Sequence, residues 1–212
     1  MSRCTKSKIR TMKAADELQR IRDGLWFWQA YDPANKVDLS SCAIELPSGL
    51  VFIDPIPLAD EPLAELLQNR TPAAVVLTNG NHERAAALFR DKFAVPVFAH
   101  SDAQPELTIR VDHTVADDAL ILDALRAVHL PGFVPGEIAL HHAQESALHV
   151  GDALINLSAH GFIPLPAKYC ADAKLALRSL RKLLQLDFEL MTFAHGLPLV
   201  TKAKSRLSQL LA

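Results

Sequence analysis

Apolar positions along this chain fall in short runs, and the one from Val75 to Leu77 says most about it. It leads into the polar stretch Thr78-Asn79-Gly80-Asn81-His82-Glu83-Arg84, after which apolar residues recur at Ala85, Leu88 and Phe89. A β-branched run followed by that spacing predicts a buried strand, a polar loop and a helix. Polar side chains gathered where a strand becomes a helix lie beside free backbone N–H donors, so chemistry is expected in this loop.

The flanks extend the pattern. Leu39 to Leu46 and Leu50 to Ile53, separated by Pro47-Ser48-Gly49, predict a hairpin closed by Asp54-Pro55. Leu63, Leu66 and Leu67 predict a helix over 62–68, and further strands are expected at 94–99, at 107–111 and once or twice within 119–130. The turn-rich Pro131-Gly132-Phe133-Val134-Pro135-Gly136 precedes a second hairpin, 137–141 with 146–150, that ends at Gly151-Asp152. Helices are expected over 172–186 and 201–211, and a last strand, 189–194, delivers His195-Gly196. Trp26-Phe27-Trp28 is the densest aromatic cluster and is read as covering one edge of the core. Two batches of hairpins, each running into helix, suggest two sheets packed face to face with helices outside, an α/β (or α+β) domain.

Composition narrows the functional classes. The 212 residues suffice for one domain, expected over 16–212, after a flexible basic tail at 1–15 that carries Arg3, Lys6, Lys8, Arg10 and Lys13. With 22 basic against 24 acidic residues there is no electrostatic footprint for nucleic acid. No apolar run approaches the roughly 20 residues of a membrane span, so no membrane partner is expected. Cys4, Cys42 and Cys170 are scattered, which argues against a disulfide framework and for a reducing, cytoplasmic setting.

Four motifs in order resemble the metallo-β-lactamase superfamily. Leu50-Val51-Phe52-Ile53-Asp54 is similar to its early strand ending in aspartate, and Thr78 to Arg84 occupies the place of its Thr-His-x-His-x-Asp-His metal loop. His129-Leu130-Pro131-Gly132-Phe133-Val134-Pro135-Gly136 resembles its Pro-Gly-His loop, while Val150-Gly151-Asp152 and Ala194-His195-Gly196 resemble the bridging aspartate and the terminal ligand histidine. The resemblance implies a four-layer αββα sandwich with its site along the open edge between the sheets.

It also implies a degenerate site. Asn79, Asn81 and Phe133 stand where a first zinc ion would find three histidines, and neutral amides are poor zinc ligands. For a second ion, Glu83, Asp152 and His195 remain, but Arg84 stands in the closing histidine's place. A fixed charge about 4 Å from a divalent ion costs roughly 8 kcal/mol at an effective dielectric of 20, against roughly 10 to 16 kcal/mol for a good four-ligand site. Arg84 is therefore expected to replace the metal, paired bidentately with Asp152 beside Glu83. His82 falls between ligand positions and is read as a cap-region or surface histidine, with a swing into the site as the alternative. His160 is placed on the pocket rim, and His141, His142 and His149 are read as exposed or cross-strand.

The expected function is a metallo-β-lactamase-fold protein that is not a two-zinc hydrolase and holds no cofactor. Its pocket, formed by Asn79, Asn81, His82, Glu83, Arg84, Phe133 and His160, would bind a small anionic ligand or a partner, a homodimer being allowed. The alternative is a hydrolase of an ester, thioester or phosphoester with one zinc, iron or manganese ion on Glu83, Asp152 and His195. A metal-free acid/base enzyme would use Asp152 and His195 as its catalytic pair.

Overall fold

Alternation along the strands sends side chains into three separate apolar layers. In the computed structural model, which describes residues 12–158 and 161–212, the first half of the chain forms β1 (Gln19–Arg22), β2 (Leu25–Asp32), β3 (Val37–Leu46), β4 (Gly49–Ile53), α1 (Asp60–Leu67), β5 (Pro72–Val76), α2 (Ala86–Phe93), β6 (Val97–His100) and β7 (His113–Val115). Its seven strands lie side by side in chain order, antiparallel as far as β4 and parallel from β4 to β7. The second half adds β8 (Leu120–Ile121), β9 (Leu125–His129), β10 (Ile138–His142), β11 (Ala147–Val150), the separate hairpin β12 (Leu154–Ser158) and β13 (Gly161–Pro164), α3 (Ala173–Leu180), β14 (Leu190–Phe193) and α4 (Ala203–Leu210). Five of these strands form a second sheet ordered β14-β11-β10-β9-β8, with β11 and β14 parallel.

Val51, Ile53, Ala74 and Val76 point from the first sheet into a layer shared with Ile138, Leu140, Ala147 and Leu190 of the second. Their neighbours Leu50, Phe52 and Val75 face the other way, onto Leu63 and Leu66 of α1 and Phe89 of α2. Leu148, Val150, Met191 and Phe193 likewise face Ala176 and Leu180 of α3 and Leu207 of α4. Helix, sheet, sheet and helix thus stack as the four-layer sandwich expected. Trp28 is 1% exposed and donates its indole N–H to the Ile56 carbonyl, which gives the aromatic cluster its core role.

Some expectations fail locally. Residues 107–111 form no strand, because the Glu83 carboxylate takes the backbone N–H groups of Thr108 and Ile109 that a neighbouring strand would need. The helix expected over 172–186 tightens into a 3-10 turn at Arg181. Within the span expected as a tail, Ala15 is 2% exposed and bridges Leu58, so that position packs with the domain, while residues 1–11 lie outside those described. His141, His142 and His149 are all buried, His149 opposite Leu140 between β10 and β11. No helix among the described residues is long and apolar enough to cross a membrane.

Because β4 runs parallel to β5 and β11 to β14, four carboxyl-terminal strand ends meet at one edge of the sandwich. The backbone bond from Ser40 N to the Ala194 carbonyl ties the two sheets together there. Asp54, Thr78, Asp152 and His195 follow those ends, and Ser40 lies beside them.

Candidate functional site

His82, Asp152 and His195 converge at this edge, with one ligand-type atom of each within 4.8 Å of the others. Nε2 of His82 and Nε2 of His195 each lie 3.2 Å from the same carboxylate oxygen, Oδ1 of Asp152. Both rings are held from behind. His82 turns Nδ1 to Oδ2 of Asp54 at 2.8 Å, and His195 turns Nδ1 to the Asp38 carbonyl at 3.0 Å. A carbonyl only accepts, so Nδ1 of His195 carries the hydrogen. When that ring is neutral, its Nε2 presents a lone pair to the site. Asp152 is fixed on its far side by Asn79, whose amide donates to Oδ2 at 3.4 Å and to Oε2 of Glu137 at 2.8 Å.

Two backbone positions here are strained: Asp54 has φ +46° and Arg84 φ +40°, left-handed conformations that cost non-glycine residues of order 1–3 kcal/mol each. Gly151 is required by space. A Cβ there would sit 2.5 Å from Oγ1 of Thr78 and 2.7 Å from Oε1 of Glu137, both buried. Gly151→Ala is expected to destabilise the protein by about 1–3 kcal/mol in urea unfolding through overpacking; a loss under about 0.5 kcal/mol would show that the Thr78 and Glu137 side chains are free to move aside.

Residues 17–212 match the sequence model of the family described as the metallo-beta-lactamase superfamily. The chain belongs to that superfamily. It is 24% identical over 174 residues to the probable metallo-hydrolase YflN of Bacillus subtilis (strain 168), a match that covers 61% of this chain and 66%, just under two thirds, of that protein. A solved structure titled TTHA1623 in a di-iron-bound form is 25% identical with a TM-score of 0.64, covering 81% of this chain and 94% of that one. A metallo-beta-lactamase from Pontibacter korlensis is 19% identical with a TM-score of 0.73, covering 92% of this chain and 98% of that one.

Within this metallo-β-lactamase fold, the structure redistributes the residues singled out in the sequence. His82, and not Arg84, is the loop residue that contacts Asp152. Glu83 does not join a set with Asp152 and His195: its carboxylate is spent on Thr108 and Ile109. Arg84 makes no bidentate pair with Asp152. It donates instead to the carbonyls of Ser40 at 2.7 Å, Asp54 at 3.2 Å and Ala194 at 3.1 Å, which leaves Nη2 3.5 Å from Nε2 of His195. Phe133 is 1% exposed and packs under α3, away from the site, because an apolar ring gains most in the core. Asn79 is buried behind Asp152 and does not line the cleft, whereas Asn81 does. His160 lies outside the described residues. The sequence reading missed Asp54 as the support of His82, and Glu137 altogether. A lone acid at the head of the apolar run Ile138-Ala139-Leu140 was the signal for the latter.

Charge at the site follows from these contacts. Burial and the Arg84 guanidinium work against protonation of His82, but the Asp152 and Asp54 carboxylates outweigh them and push its pKa up to about 9. Burial would raise Asp152; the two facing imidazoles hold it well below the usual carboxylate range. Burial beside Asp152 pushes Glu137 up to about 8. Both raised groups bind protons more tightly in the folded chain. Their contribution to stability is full below the unfolded values, near 6.5 for His82 and 4.5 for Glu137, and is lost as pH rises through about 9 and about 8. Metal-free protein is therefore expected to lose melting temperature steadily between pH 6.5 and 9, and His82→Asn should flatten that slope; an unchanged slope would place the titration elsewhere.

The spacing of the three donors suits a divalent ion, although the Arg84 guanidinium, with Nη2 3.5 Å from Nε2 of His195, sets a positive charge beside that position. Ligands about 2.0–2.1 Å from a tetrahedral zinc are about 3.3 Å apart, and the two Nε2 to Oδ1 separations are 3.2 Å. Each ring nitrogen opposite the site is already held by a carboxylate or carbonyl, as metal-bound histidines require.

Proposed function

We propose that this chain is a hydrolase that uses one metal ion, held by His82, Asp152 and His195, to cleave an ester, thioester or phosphoester. The single observation that supports this most is the convergence of two imidazole Nε2 atoms on one carboxylate oxygen, with both Nδ1 atoms fixed behind. His82, Asp152 and His195 would hold the ion, zinc or iron as in the similar di-iron-bound structure, which would supply Lewis acidity and an activated water. Asp54 and the Asp38 carbonyl orient the two rings, and Asn79 holds Asp152 from its Oδ2 side. The reading is of one ion rather than two, since Asn79 and Phe133 are turned to structural work and Asn81 offers only an amide.

A second reading, a non-hydrolytic site for a small anion, is favoured by one feature. The cleft, about 540 Å³, is lined by Arg84 and His82, a guanidinium and a readily protonated ring. Turnover of p-nitrophenyl acetate, a phenyl thioester and bis-p-nitrophenyl phosphate, with chelator and after re-addition of zinc, iron(II) or manganese(II), separates the two. Chelator-sensitive turnover restored by metal and absent in Asp152→Ala supports hydrolysis. No turnover with any metal supports anion binding.

A further inference from the structure

The cleft has a second lobe beyond the site. A cavity of about 480 Å³ shares Asn35, Val37, Asn81, Asp152 and His195 with the first lobe, but its far wall consists of Val134, Ile155, Leu157, Leu165 and Tyr169. Leu157 is 48% exposed and Tyr169 58% exposed, although both are large apolar side chains. They come from different elements, β12 and the turn at Ala167–Tyr169, so their meeting at one wall is a property of the fold and not of a local run. Tyr169 is steadied by Lys168, whose Nζ lies 4.7 Å over the ring. The two lobes meet at their shared residues, and the first lobe alone continues to Tyr31 and Asp32.

Resting on the hydrolytic reading above, we propose that this second lobe is an acyl subsite: the substrate is an ester or thioester of a medium-length aliphatic acid, its chain laid against Leu157, Leu165 and Tyr169. The carbonyl then lies at His82, Asp152 and His195, and the leaving alcohol or thiol departs through the first lobe toward Tyr31 and Asp32. The more polar rim of that lobe, with Lys13 and Asp32, suits a leaving group that is itself polar. An apolar wall without charged side chains favours a hydrocarbon chain over a phosphate on the acyl side.

Calorimetric titration of the full chain, metal-loaded and chelator-stripped, with the straight-chain carboxylates from acetate to decanoate reads this directly. Affinity is expected to rise about 2- to 4-fold per added methylene until the lobe is filled. The slope should collapse in Leu157→Asp with Tyr169→Ser and persist in Leu120→Ser, a substitution at the exposed residue of β8. A flat series, or a slope that the Leu157 and Tyr169 changes leave intact, overturns the proposal. Repeating the series with p-nitrophenyl esters separates the two claims. A chain-length slope in binding without turnover leaves the acyl subsite standing and removes the hydrolytic reading. Turnover that ignores chain length does the reverse.

Discussion

Arg84→Met is expected to destabilise the metal-free protein by about 3–5 kcal/mol in urea unfolding, the largest stability loss of any single change at this site. The guanidinium joins three carbonyls that belong to different elements: Ser40 in β3, Asp54 just past β4, and Ala194 just past β14. Removing it takes one donor from each carbonyl, and although Ser40 N still reaches the Ala194 carbonyl and Ser41 Oγ the Asp54 carbonyl, the link between the three elements is lost, at about 1–3 kcal/mol for each acceptor left short of a partner. It also withdraws a positive charge from beside Asp54, whose carboxyl is raised by burial but held below its ordinary value by His82 first and then by Arg84. Lysine should not rescue, since one ammonium on a flexible stem does not reproduce a planar fork that reaches three carbonyls. Arg84 on this account is a structural clamp between the sheets. A loss below about 1 kcal/mol would show that the remaining donors, Ser40 N and Ser41 Oγ among them, hold the edge without the guanidinium.

His82→Ala is expected to lower metal affinity by more than the 10- to 100-fold typical of a lost outer partner, and Asp54→Asn to lower it by about that 10- to 100-fold. The ranking follows from position. His82 offers Nε2 to the site, whereas Asp54 only fixes the ring from behind. Glu83→Gln should leave metal affinity unchanged while weakening the loop at Thr108 and Ile109. Competition with a chromophoric zinc chelator gives all three constants. If Glu83→Gln lost the metal and His82→Ala kept it, the ligand set would be Glu83 with Asp152 and His195, and the loop would follow the family register after all.

The layers of this fold were legible because alternation is a local property. Leu50, Phe52 and Val75 against Val51, Ile53 and Val76 already encode two faces, and the structure assigns each to its layer. Asp152 and His195 were legible for a related reason, since each lies two residues past a strand end, Val150 and Phe193, that fixes where it sits. The loop between Thr78 and Arg84 was different. Its residues are placed by long-range partners: Asp54 captures His82 from 28 positions away, and Arg84 reaches Ala194 from 110 away. Spacing from the strand end put Arg84 in the closing position and left His82 outside. Two features reversed this. A buried carboxylate at Asp54 draws the nearest imidazole, and a long guanidinium can pass the site to find carbonyls. Neither pull is visible in a spacing rule. Glu83 was misplaced for the same reason, its true partners being backbone N–H groups more than twenty residues ahead.

The account rests on His82 as a metal ligand, and X-ray absorption of the zinc-loaded chain measures that most directly. It predicts about one zinc per chain with two imidazole nitrogens and carboxylate oxygen at about 2.0–2.2 Å. A spectrum with a single imidazole, or a chain that takes up no zinc at millimolar excess, would contradict it.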